Sequence, residues 1–141
     1  MILYLDTSVP IAVLTNEAQT ARLQTWLAAQ PPESLTISDW VTTEFSSALS
    51  IKARVGHIDA SQRADALAMF TRLSMDILMV LPVTGPQFRM AARFADQYAI
   101  GIRAVDALHL AICADHGATL CTLGQRLGMA GPEFGVKTML F

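Results

Sequence analysis

The chain has 141 residues, 52% hydrophobic and 16% charged, the length of one ordinary domain and a balance that excludes disorder. Two cysteines, Cys113 and Cys121, are too few for a disulfide-stapled scaffold, and no apolar run reaches the roughly 18 residues of a membrane helix. The formal net charge of −2 gives no bulk basic signal for nucleic acid, while the apolar surplus points to a homodimer or a permanent partner.

The N-terminus lacks the basic region and cleavage site of a secretory signal, so a cytoplasmic setting with no membrane is expected, and the chain reads as one domain over 1–141. Ile2 to Leu5 is a short apolar strand that ends in Asp6-Thr7-Ser8. Asn16 to Gln19 opens a helix in capping-box form, with Leu23, Trp26 and Leu27 on its apolar stripe and Pro31-Pro32 as its stop. Leu35 to Ile37 is a second strand. Ser38-Asp39 then opens a long helix, its face carrying Val41, Phe45, Ala48, Leu49 and Lys52, ending near Gly56.

Asp59 to Gln62 caps a helix running through Leu67, Phe70 and Leu73, and Ile77 to Leu81 is a third strand. Thr84 to Gln87 is a capping box with proline in the first turn, opening a helix to about Tyr98. Val105 to Ala114 is a further helix, Thr119 to Thr122 a fourth strand, Gln125 to Met129 a short helix and Val136 to Leu140 a fifth strand. Short apolar strands alternating with helices predict a parallel α/β sheet covered on both faces.

Ligands of open parallel sheets bind outside the C-terminal ends of the strands, which singles out Asp6. It reads either as a functional acid or as the cap of the next helix. Glu44 lies three residues from Val41 and four from Ala48, so it borders an apolar stripe, where a carboxylate needs a partner or a metal; the alternative is a solvent-facing glutamate. Asp106 starts an almost wholly apolar helix and reads either as a dipole-stabilising first-turn acid or as a carboxylate aimed into a cleft. Three acids meeting at one place repel, and a divalent cation removes that penalty. All-oxygen ligation suits Mg2+ or Mn2+. His109, Cys113 and His116 also share a helical face, with Cys121 shortly after. That is a weaker zinc pattern, without paired-cysteine spacing.

Leu5-Asp6-Thr7-Ser8, Ile37-Ser38-Asp39-Trp40-Val41-Thr42-Thr43-Glu44 and Asp106-Ala107-Leu108-His109-Leu110-Ala111 together resemble the PIN-domain family, most closely the VapC-type toxins of bacterial toxin–antitoxin pairs. The resemblance covers essentially the whole chain. It implies a three-layer sandwich around a five-stranded parallel sheet, Mg2+- or Mn2+-dependent hydrolysis of RNA phosphodiester bonds, dimerisation, and inhibition by a cognate VapB-type antitoxin. It assigns Asp6, Glu44 and Asp106 as the catalytic, metal-binding acids and Thr7 or Ser8 as the supporting hydroxyl. On this reading, alanine at Asp6 abolishes activity without unfolding the chain.

The sequence departs from the family at one position. A fourth acid is usual in a threonine-any-aspartate pattern, and here that pattern reads Thr122-Leu123-Gly124. Asp115 falls on the opposite helix face from Asp106 and about 13 Å along it, Glu133 is in a later loop, and Gln125 offers only a neutral oxygen. The expectation is one metal position and a weak or absent second one. The alternative is a catalytically weakened module that binds antitoxin or RNA. A phosphatase of the haloacid dehalogenase kind would need an aspartate where Ser8 stands.

Among the remaining residues, His109 reads as a satisfied core histidine rather than a site group. Asp39 reads as a first-turn helix acid. Arg103, Arg126, Lys52 and Arg54 form either a local basic rim for RNA phosphates or scattered solvent charges. Met69, Met75, Met79 and Met90, with Phe70, Phe88 and Phe94, read as core or partner interface.

Overall fold

Five short strands, β1 (Leu3–Leu5), β2 (Leu35–Ser38), β3 (Met79–Leu81), β4 (Thr119–Thr122) and β5 (Thr138–Leu140), pair in parallel in the order β3-β2-β1-β4-β5 in the computed structural model, which describes all 141 residues. The register aligns Leu3 with both Leu35 and Thr119. β1 and β2 are buried at every position, as strands covered on both faces must be, which is why they read as unbroken apolar runs. The edge strands β3 and β5 are part-exposed.

The helices are α1 (Ser8–Leu14), α2 (Thr20–Ala28), α3 (Asp39–Arg54), α4 (Ala60–Asp76), α5 (Gly85–Ala95), α6 (Ala104–His116) and α7 (Gln125–Ala130). α1 packs on α2, α3 and α4, and α3 on α4; α5 packs on α6. Right-handed crossovers put these two groups on opposite faces, the three-layer sandwich expected. Phe45 of α3 stacks on Phe70 of α4 with ring centroids 4.1 Å apart. Capping boxes form with Asp59 and Gln62 and with Thr84 and Gln87, whereas the one read at Asn16 does not. No helix is long and apolar enough to cross a membrane.

α1 has no counterpart in the sequence reading. Val9 to Val13 are all buried, so the segment shows no amphipathic period, and Pro10 sits in the first turn, where its missing N–H is not needed. α2 starts at Thr20, not at Asn16, because the Thr20 hydroxyl bonds the Glu17 N–H and the Ala12 and Thr15 carbonyls. α4 continues to Asp76, so β3 begins at Met79 instead of Ile77. α5 stops at Ala95, short of Tyr98. β5 begins at Thr138, because the 3-10 turn Gly131–Phe134 takes the Val136 N–H back to the Gly131 carbonyl. Phe70 belongs to the core, but Met69, Met75, Met79 and Phe88 stand 48 to 79% exposed and do not.

Candidate active site

β1 lies in the middle of the sheet, where the strand order reverses between β2 and β4. The crevice that such a switch opens beyond the C-terminal strand ends is the usual ligand position in this architecture. A cavity of about 370 Å³ lies there. The end of β1 contributes Asp6, Thr7 and Ser8, α3 contributes Glu44, α6 contributes Asp106 and His109, and the turn into α7 contributes Gly124, Gln125 and Arg126.

Asp6 is only 6% exposed. Its Oδ1 accepts the Ser8 N–H at 3.0 Å and the Ser8 hydroxyl, and its Oδ2 accepts the Thr122 hydroxyl at 2.5 Å. It therefore holds an N–H of the first turn of α1 and also lines the cavity. Glu44 Oε1 accepts the Thr7 hydroxyl at 2.7 Å and lies 2.6 Å from His109 Nε2. Burial pushes the Glu44 carboxyl up, but the His109 hydrogen bond, that ring's charge when protonated, and the Thr7 hydroxyl together hold it below its ordinary value. The Asp106 side chain makes no hydrogen bond within the chain. Burial raises its pKa, His109 opposes, the charges of Asp6 and Glu44 raise it further, and Arg103 opposes.

His109 is 3% exposed and fully partnered, as a core histidine is, yet it also borders the cavity. Its Nδ1 lies 2.9 Å from the Tyr4 hydroxyl, which lies 2.8 Å from Ser38 Oγ. Sequence reading missed Tyr4, Ser38 and Thr122 as site supports. The available signal was a tyrosine inside an aliphatic buried strand, since a buried phenol needs a partner.

Arg126 borders the cavity and Arg103 does not; Arg103 is the residue preceding α6. Lys52 is not on a rim with them. It pairs with Glu17 at 2.8 Å, beside a separate cleft of about 650 Å³ that α1 and α4 also line. Asp115 accepts from Gln87 Nε2 at 2.8 Å and Glu133 lies in the 3-10 turn; neither borders the cavity. The zinc pattern is not assembled: His109 faces Glu44, Cys113 is buried, and His116 lies beside Gln87 at 3.4 Å.

The donor chemistry fits a hard divalent cation. Three carboxylates from distant segments line one cavity, and Glu44 Oε2 and both Asp106 oxygens have no hydrogen-bond partner. No three His, Cys, Asp or Glu side chains stand at a common ligating distance. A suitable ion is therefore one that keeps several of its own waters, which is the habit of Mg2+.

The PIN domain family model matches residues 3–130. Ribonuclease VapC47 of Mycobacterium tuberculosis (strain CDC 1551 / Oshkosh) is 31% identical over 114 residues, covering 79% of this chain and 74% of that protein. FitAcB from Neisseria gonorrhoeae shares the fold with a TM-score of 0.74 at 18% identity, covering 98% of this chain and 96% of that one. So does Mycobacterium tuberculosis VapC20, described as a sarcin-ricin loop cleaving toxin, with a TM-score of 0.72 at 21% identity, covering 92% and 95%.

Proposed function

The chain belongs to the PIN-domain family, and on that premise we propose that it is a divalent-metal-dependent endoribonuclease, the toxin of a VapBC-type toxin–antitoxin pair. The observation that carries this reading is that Asp6, Glu44 and Asp106 line one cavity at the switch point of the sheet. A relative named as a ribonuclease supports the same activity.

Asp6, Glu44 and Asp106 would hold Mg2+ or Mn2+, directly or through its waters. When bound, the cation lowers the pKa of a water and offsets charge on the phosphate. Ser8 and Thr122 fix the Asp6 carboxylate, and Thr7 and His109 fix Glu44. A carboxylate that the ion does not fully engage would take the proton of the attacking water. Arg126, at the cavity edge, meets the RNA phosphates. The protein works in the cytoplasm as a homodimer held in check by a VapB-type antitoxin.

Gly124 favours a second reading. It lines the cavity and brings no carboxylate to it, so a weakened module that binds RNA or antitoxin without turnover is the competing function. Purified protein incubated with single-stranded RNA and Mn2+, with and without EDTA, decides between them. Cleavage that EDTA stops supports the enzyme, and RNA retention without cleavage supports the module. Cleavage that persists in EDTA overturns the metal-dependent mechanism.

A further inference from the structure

We infer that Tyr4 and His109 are positioning residues for Glu44: a directed chain of hydrogen bonds from Ser38 through Tyr4 and His109 engages one oxygen of that carboxylate and leaves the other free. The inference rests on the metal-dependent ribonuclease reading and assigns a role to two side chains that make no contact with RNA.

The direction of the chain follows from its acceptor end. An ionised carboxylate only accepts, so the proton in the 2.6 Å contact sits on His109 Nε2. In the neutral ring, Nδ1 is then an acceptor, and the partner within reach is the Tyr4 hydroxyl at 2.9 Å. For that tautomer Tyr4 gives its one proton to His109 and accepts from Ser38 at 2.8 Å. Ser38 and Tyr4 are fully buried and His109 is 3% exposed, so water is kept from the links between these three side chains. The four groups come from four different elements, β2, β1, α6 and α3, and the chain stops on a carboxylate that borders the cavity.

Two donors, His109 Nε2 and the Thr7 hydroxyl, converge on Glu44 Oε1. With both lone-pair positions of that oxygen used, Glu44 has Oε2 left for a ligand. A carboxylate restricted to one oxygen suits a small octahedral cation, whereas the larger Ca2+ readily takes both. A merely packed core histidine would leave no such signature on Glu44.

The test uses the full chain in four forms besides wild type: Tyr4→Phe, His109→Leu, His109→Gln and Glu44→Gln. Nitrogen-15 histidine NMR on metal-free protein at pH 8 is expected to show His109 protonated on Nε2 alone, and this preference is expected to weaken in Tyr4→Phe. Mn2+ affinity, read from free Mn2+ by electron paramagnetic resonance, is expected to fall about 10–100-fold in His109→Leu and about 3–10-fold in Tyr4→Phe. It is expected to recover to within about 3-fold in His109→Gln, whose amide N–H replaces Nε2–H. For RNA cleavage kcat falls while KM holds.

A ring protonated on Nδ1, or a tautomer unmoved by Tyr4→Phe, overturns the directed chain. If His109→Leu does not fold, Tyr4→Phe, which removes one oxygen atom, decides. If Glu44→Gln weakens Mn2+ binding but the Tyr4 and His109 variants do not, the positioning role alone falls. If Glu44→Gln binds Mn2+ like wild type, the ribonuclease reading falls, and this inference with it.

Discussion

Thr122 Oγ1 donates a 2.5 Å hydrogen bond to Asp6 Oδ2, joining the ends of adjacent strands across 116 positions of sequence. Ser8 supplies two more donors to the same carboxylate. Asp6→Ala strands all three, so it is expected to lose about 1–3 kcal/mol of stability as well as activity. Asp6→Asn keeps an acceptor oxygen. Its thermal midpoint is expected to stay closer to wild type while cleavage falls by more than about 100-fold, since several kcal/mol of charge stabilisation goes with the ion. Equal losses of midpoint in the two variants would refute the hydrogen-bond account.

Gly124→Asp is expected to fold. Gly124 has φ −75°, open to any residue, and an added Cβ would meet Thr122 Oγ1 at 3.3 Å and Leu127 Cβ at 3.7 Å, a fit that a small shift of Thr122 relieves. The new carboxylate completes a second cation position, so Mn2+ stoichiometry is expected to rise and cleavage to increase about tenfold or more, about 1.4 kcal/mol of barrier. An unchanged stoichiometry and rate would show that the missing fourth acid is not the defect.

Asp106→Asn separates stability from activity. The folded chain holds the Asp106 proton more tightly than the unfolded chain does. Stability therefore falls as pH rises from the unfolded value, about 3.9, through the folded one, and the penalty is complete above that. The asparagine variant is expected to melt higher than metal-free wild type at pH 7.5, by less than about 1 kcal/mol because water screens a half-exposed group. The difference should shrink toward pH 4, and cleavage should be lost. A variant less stable than wild type at neutral pH would contradict the cost of burying the Asp106 charge beside Asp6 and Glu44.

Arg126→Ala is expected to weaken RNA binding similarly across sequences and to lower the salt slope of the binding constant by about 1. Arg103→Ala, outside the cavity lining, is expected to change that slope less. Binding isotherms at several salt concentrations measure both, and a larger effect at Arg103 would move the RNA path away from the cavity.

The strands were legible in the sequence because central parallel strands must be apolar on both faces; Leu3 to Leu5 and Leu35 to Ile37 show this directly. α1 was not, because a helix buried all round has no polar face to mark its period, and Val9 to Val13 are all buried. The three acids were legible as polar interruptions of apolar segments. Their supports were not, since the partner of a buried hydroxyl is set by three-dimensional packing: nothing local to Tyr4 points 105 positions ahead to His109. His109 read as core from its apolar helix, and it is buried, but the period along α6 does not reveal that its ring turns toward Glu44.

The central placement of β1 also bears on when the protein becomes competent during its synthesis. β1 is flanked on one side by β4, so a nascent chain that has not yet emitted Thr119–Thr122 exposes a raw edge on β1 and lacks the hydroxyl that seats Asp6. Closing that long loop comes late in folding. A polypeptide that stops short of Thr119 therefore has its Asp6 carboxylate unseated, whatever else of the sheet has formed.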